Sequence, residues 1–248
     1  MPHLLMSLET SLLVVLIFSF ASFLQGMTGF GFGMAAMALL PLLIGFHDAV
    51  KLAAVLGLAV NMFTFATYRK NYDWREGKSL IAAAAVGAPC GVALAHLAPG
   101  SWMIRALGLL ICVFTVHELL LSRVTKVTVP QHWAVPMGLL AGVFGAAFNI
   151  GGPPAVIYCY SRAWSKAQVV AVLQVMFLVI GLLRVAFSLG AGLIETRDTA
   201  VILAALPPTF LAITLGRKLL DRVPQSQMRI GVHLALFAMG LKYVVLGG

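Results

Sequence analysis

Apolar residues fill this chain in long blocks separated by short polar stretches. Blocks of about 18 residues or more are long enough, as helices, to cross a hydrocarbon layer roughly 30 Å thick. Residues 51–68, 79–97, 102–121, 168–189, 199–219 and 230–246 form single blocks of about that length, and each is read as one transmembrane helix. Two further blocks, 12–44 and 133–160, are longer and are interrupted by glycine or proline near the middle. A straight helix is not expected in either.

The order long, single, single, single occurs twice, with a boundary near Val127, which points to an internal duplication. Ala21 and Gly31 align with Ala141 and Gly151 at one offset, and Ile104-Arg105 before Gly108 resembles Met228-Arg229 before Gly231. Loop charges then set the topology. Arg69, Lys70, Arg75 and Lys78 crowd one loop of the first half, whereas the equivalent loop of the second half holds Arg197. The next pair reverses this, with Arg105 against Arg217, Lys218, Arg222 and Arg229. Equivalent loops therefore face opposite sides.

If each long block enters the membrane, breaks and returns as a re-entrant hairpin, three crossings remain per half. The loops with Arg69 to Lys78, Arg123 and Lys126, Arg162 and Lys166, and Arg217 to Arg229 then share one side. That side carries twelve basic residues against four on the other, Lys51, Arg105, Arg197 and Lys242. With eight simple crossings the same loops divide evenly and the bias disappears. The expected fold is an all-α polytopic membrane protein of two inverted-topology repeats, 1–127 and 128–248, within one integral membrane domain. Each repeat is a broken, re-entrant helical segment followed by three transmembrane helices.

Composition agrees. Of 248 residues, 61% are hydrophobic and 10% charged, where soluble domains carry about 25% charged residues, and mean hydropathy is +0.99. No polar stretch is long enough for a separate soluble domain, so any activity is housed in the membrane. The net charge of +9 is spread over short loops, which suits membrane orientation and not nucleic acid. The opening apolar run has no Lys or Arg before it and outlasts a signal-peptide core, so it is expected to be retained. Cys90, Cys112 and Cys159 form no CxxC pair and no His-associated metal spacing, and are read as packing residues.

Candidate chemistry lies at the two interruptions. Irregular backbone at membrane depth survives only where it is buried in protein or lines a cavity. In Gln25-Gly26-Met27-Thr28-Gly29-Phe30-Gly31-Phe32-Gly33, the glycines permit positive φ and close backbone approach. In Asn149-Ile150-Gly151-Gly152-Pro153-Pro154, the prolines end one helix and can begin the next. Half-helix starts favour an anion through their N–H groups and dipole. Gln25, Thr28, Gly29 and Gly31 from the first interruption, with Asn149, Gly151 and Gly152 from the second, are the expected substrate-binding residues. The alternative for the glycines is close helix packing.

The same residues resemble a known family, the TauE/SafE sulfite exporters. The glycine-rich 25–33 stretch is similar to the family's first motif. Gly145 followed by Gly151-Gly152-Pro153-Pro154 is similar to its second, and Tyr72-Asp73-Trp74-Arg75 to a further element. The resemblance runs through the whole chain and implies transport of small sulfur-containing anions or organic acids across the bacterial cytoplasmic membrane. Phe30 and Phe32 stand where many members are smaller, which implies a narrower or more apolar pocket.

Within the single blocks, Arg184 is a charge deep in an apolar segment. It either recognises substrate charge or snorkels to the nearer interface. Gln174 and Asn61 either join the site or bond helix to helix. His117 and Glu118 form an adjacent pair that either relays a coupling proton or sits at the interface. His96 and His233 are assigned no role. Trp74, Trp102, Trp133 and Trp164 stand near block ends, as an aromatic belt would. No GxxxxGK[ST], HExxH or GxSxG motif occurs, so neither an enzyme nor a cofactor is expected. The reading is a secondary transporter for a small anion (sulfite, an organosulfonate or a related organic acid) working by alternating access in the lipid bilayer. An anion channel and an intramembrane enzyme are the alternatives.

Overall fold

The protein is described by a computed structural model over residues 8–121, 129–190, 196–219 and 225–247, and the regular structure within them is entirely helical. Arg123, Lys126, Val127 and Arg222 lie outside the described residues, as do the side chains of Trp74, Arg197 and Arg229.

The first long block divides into α1 (Leu8–Thr28), a break at residues 29–31, α2 (Phe32–Leu39) and a single turn, α3 (Pro41–Ile44). Three helices follow: α4 (Phe46–Tyr68), α5 (Trp74–Leu97) and α6 (Gly100–Val116), the last running on as a π-type turn, His117–Leu121. The second long block gives α7 (Ala134–Phe148), a break at residues 149–151 and α8 (Gly152–Tyr160). The chain ends with α9 (Lys166–Gly190), α10 (Thr196–Leu219) and α11 (Gln225–Leu246).

Among the described residues six helices are long and apolar enough to cross a membrane: α1, α4, α5, α6, α9 and α10, with 231–246 of α11 shorter. The first long block, expected to break and return, thus holds a helix long enough to cross. α1 has 21 residues because its helix begins at Leu8, before the apolar block proper, while the returning segment Phe32–Ile44 is shorter.

Local chemistry fixes the turns. Asp73 caps α5, its carboxylate accepting the Arg75 N–H at 2.9 Å. Ser165 and Gln168 form a reciprocal box at the start of α9, each side chain accepting the other's backbone N–H. Asn149 closes α7 in the left-handed conformation (φ 60°), its N–H returning to the Gly145 carbonyl.

Small residues bring helices to backbone contact, the usual means of association where water is absent. A Cβ on Gly87 would fall 2.3 Å from the Leu139 carbonyl oxygen, and one on Gly91 at 2.3 Å from that of Val143. Gly138 and Gly142 press likewise on Leu80 and Ala84. Residue numbers rise together along this seam, so α5 and α7 run the same way. Gly26 of α1 meets the Ile213 carbonyl and the Arg217 backbone of α10, and Gly216 meets Phe23. The end of α1 thus lies level with the basic end of α10. The closest pairings are α5 with α7, α1 with α10, α6 with α11 and α4 with α9. Exchanging the two halves carries the first pair onto the second and each of the others onto itself.

Two apolar cores result. One is built chiefly by α1, α2, α4, α6, α10 and α11, the other by α5, α7, α8 and α9. Phe30 packs on both. Large apolar side chains such as Leu16, Val86, Leu109, Leu182 and Leu211 point outward, as a surface facing hydrocarbon requires.

Candidate functional site

Gly29 and Asn149 stand in the two breaks at the same offset as Ala21 and Ala141, and both are left-handed, with φ of 85° and 60°. Each lets a helix end while the chain reverses inside the protein. The breaks meet back to back. A Cβ on Gly33 would fall 1.8 Å from the Asn149 carbonyl oxygen, so only a bare backbone fits there. Gly57 of α4 leaves room beside it for the Phe32 ring and the Asn149 amide.

Between the breaks lies a cavity of about 50 Å³, where about 10–15 Å³ suffices for one water. Its polar lining comes from Gln25, Asn61 and Asn149 and from the backbone at Gly31, Gly33, Gly151 and Gly152. Phe30, Phe32, Phe114 and Phe177 supply apolar walls, while α4 and α9 contribute Gly57 and Gly181. Among the described residues no carboxylate lines it.

Gln25, 1% exposed, organises the first break. Its Oε1 accepts the Phe32 N–H at 3.1 Å, quieting the first amide of α2. Its Nε2 donates to Asn61 Oδ1 at 3.3 Å and to Gln174 Oε1 at 3.2 Å. Gln174, fully buried, in turn donates to the Gly29 carbonyl at 2.7 Å. At the second break the Asn149 Nδ2 donates to the Ala53 carbonyl of α4 at 3.2 Å. There the first turn of α8 carries Pro153 and Pro154, which have no N–H, leaving Gly151 and Gly152 as the amide bearers.

Arg184 is turned into the protein and is 4% exposed, not drawn up to an interface. Its Nη1 reaches the Gly145 carbonyl at 3.4 Å, directly behind the cavity wall. Among the described residues the ion pairs are Lys51 with Asp48 and His117 with Glu118, and Arg184 belongs to neither. A buried cation with no carboxylate partner among the described residues is costly to keep charged.

Of the residues expected from sequence, Gln25, Gly31, Asn61, Asn149, Gly151 and Gly152 line one cavity. Gln174 and Gly29 sit just behind it, joined to each other. The Thr28 hydroxyl is engaged by its own turn, with the carbonyls of Leu24 and Phe30. His117 and Glu118 lie 3.9 Å apart in the π-type turn. Tyr72-Asp73-Trp74-Arg75 belongs to the α4–α5 turn: Tyr72 packs edge-on against Phe65, and burial with Asp73 beside it raises its hydroxyl above the usual tyrosine range. Sequence reasoning missed Gly57, Phe114, Phe177 and Gly181. The signal available for two of them was a glycine midway along the first single block of each half.

The sequence model of the family described as Sulfite exporter TauE/SafE matches residues 14–243. Among curated proteins, the chain is 27% identical over 192 residues to "Probable inner membrane transporter protein TsaS" of Comamonas testosteroni, covering 77% of this chain and 80% of that one. It is 26% identical over 207 residues to "Probable sulfite/organosulfonate exporter TauE" of Cupriavidus necator, covering 79% of each. No solved structure matches the chain.

Proposed function

From the premise that the chain belongs to the TauE/SafE sulfite exporter family, a family of membrane transporters, we propose that it is a secondary carrier of small sulfur-oxo anions. Sulfite or a short organosulfonate binds between the two breaks of a multi-pass protein in the bacterial inner membrane, and alternating access moves it across. The carrying observation is the meeting of the breaks: two irregular stretches at membrane depth, pressed together at Gly33 and Asn149, enclose a cavity lined by amides and backed by a guanidinium that has no carboxylate partner among the described residues. Asn61 and Asn149 donate to the oxyanion from the walls, with the amides of Gly151 and Gly152, and Gln25 joins them once its bonds to Asn61 and Gln174 open. Arg184 supplies the balancing charge, reaching the ligand by exchanging its long bond to Gly145. The phenylalanine walls accept an apolar substituent.

The inverted repeat, 1–127 and 128–248, is the framework of this reading. α7 runs parallel to α5, which begins at the basic loop holding Arg69 to Lys78, so the second hairpin enters from that side. α1 ends beside the basic end of α10, so the first enters from the other. Rocking about a fixed site follows from that arrangement.

A melting series of the purified protein with sulfite, sulfate, alkanesulfonates and small carboxylates tests the substrate, because a ligand of the folded state raises its melting temperature. Sulfite or a sulfonate is expected to stabilise, and stabilisation by carboxylates alone would remove the sulfur-oxo class. Saturable flux in proteoliposomes is expected, whereas conductance near diffusion rates would replace the carrier with a channel.

A further inference from the structure

Resting on the carrier reading, we propose that the hydrogen bonds of the two breaks are the two gates. Gln25 and the Gly29 carbonyl, held by Gln174, close the basic-loop side. Asn149, held by the Ala53 carbonyl, closes the other.

The molecule has two apolar cores, and a carrier that rocks must part them. Most side-chain bonds stay within one core: Tyr243 to the Ala38 carbonyl and Arg217 to Thr67 in the first, Arg184 to Gly145 in the second. Among the described residues two bonds join the cores outright, Gln25 of α1 donating to Gln174 of α9 and Gln174 donating back to Gly29. A third, from Asn149 to Ala53 of α4, ties the end of α7 to the first core, where Phe148 and Ile150 also pack, while the body of α7 lies in the second. Movement of one body against the other must stretch these.

Their depths differ, and α4 is the ruler. Ala53 lies near the start of α4 and Asn61, bonded to Gln25, near its end at Arg69. The two points are separated by about 12 Å at 1.5 Å per residue. The stretch between them, Ala54, Gly57 and Leu58, lines the cavity. α9 gives the same order, because Gln174 lies two turns beyond its start at the Arg162 and Lys166 loop. One set of bonds thus sits between the cavity and the basic face, the other between the cavity and the opposite face. Breaking one while keeping the other gives one-sided access. The sets are also unequal. Two bonds among amides and carbonyl hold the basic side, and one holds the other, so access from the opposite side is the easier.

Thiol labelling tests the gates without any substrate. Leu58→Cys, in a chain whose Cys90, Cys112 and Cys159 are replaced by serine, reports on the cavity. A charged, impermeant maleimide is applied to each face in spheroplasts and in inverted vesicles. Gln174→Met is expected to raise labelling from the basic-loop face about fivefold or more, the size that one or two net hydrogen bonds carry. Asn149→Gly, which keeps the left-handed turn, raises it from the opposite face. Gln25→Met, which removes the same bond from the α1 side, raises labelling from the basic-loop face likewise, and covers the case in which Gln174→Met does not fold. Unchanged labelling, or changes on the same face for the glutamine and asparagine variants, overturns the gates. Sulfite flux with unmoved labelling removes the gates and leaves the carrier. Face-selective labelling without sulfite flux removes the substrate and leaves the gates.

Discussion

At the first break the chain turns on Gly29 and gives the leading amide of α2 to Gln25; at the second it turns on Asn149 and has prolines where two such amides would be. Both answers meet one requirement, that backbone N–H groups at membrane depth be satisfied or absent. The first ties up Gln25, Gln174 and Asn61 in a network reaching α4 and α9. The second leaves its side-chain positions uncommitted apart from one bond of Asn149, with Arg184 close behind. Silencing by an acceptor builds rigidity into one half of the site, and silencing by deletion leaves the other half free for a ligand.

The largest expected effect separates the two half-helix starts. Gly33→Ala drives a Cβ into the Asn149 carbonyl and is expected to cost about 3 kcal/mol, seen as a melting temperature about 10 °C lower. Gly152→Ala meets nothing nearer than 3.8 Å and should melt like the parent; equal losses would mean that both starts are equally crowded. Arg184→Met comes next. It removes a buried charge, so melting without ligand holds or rises, while the affinity for sulfite in a thermal titration falls by about tenfold or more. An Arg184→Met protein that binds sulfite normally would leave the second break without its charge.

Gln25→Leu strands the Phe32 amide and the neighbouring side-chain amides, for an expected loss of about 2 kcal/mol. Calorimetry should show Asn149→Gly costing less; the reverse order would sink the assignment of rigidity to the first break. The smallest effect is conformational. Asn149→Ala is expected to lose about 1 kcal/mol from the left-handed turn, and comparison with Asn149→Gly isolates it from the lost bond to Ala53.

Both breaks were legible because glycine and proline act locally: they fall at 29–31 and 149–151, inside the stretches 25–33 and 149–154 singled out by composition. Five of the six single crossings were legible for the same reason, since length against bilayer thickness needs no tertiary knowledge; among the described residues 231–246 form a shorter apolar helix, and α1, expected to re-enter, is long enough to cross. The partners of Gln25 were not. Asn61 and Gln174 are far from it in sequence, and only the folded chain brings their amides together. Nor was the rotation of Arg184, because a helix apolar on every side offers no face to read. The same blankness hid the pairing of α5 with α7 and α1 with α10, since glycines that admit a backbone look alike whichever partner arrives.

That exchange of helices also sets a timetable. α1 is finished at residue 28, whereas the helix that covers its Gly26 face does not start until residue 196. At roughly 5–20 residues per second the ribosome needs on the order of ten seconds or more to supply it. Through that interval the Gly26 face of α1 has only lipid or the insertion machinery to cover it. Completion comes from the carboxyl-terminal end, so a lesion in α10 strands a segment made long before it, and separately expressed halves should mature only when they meet in the same membrane.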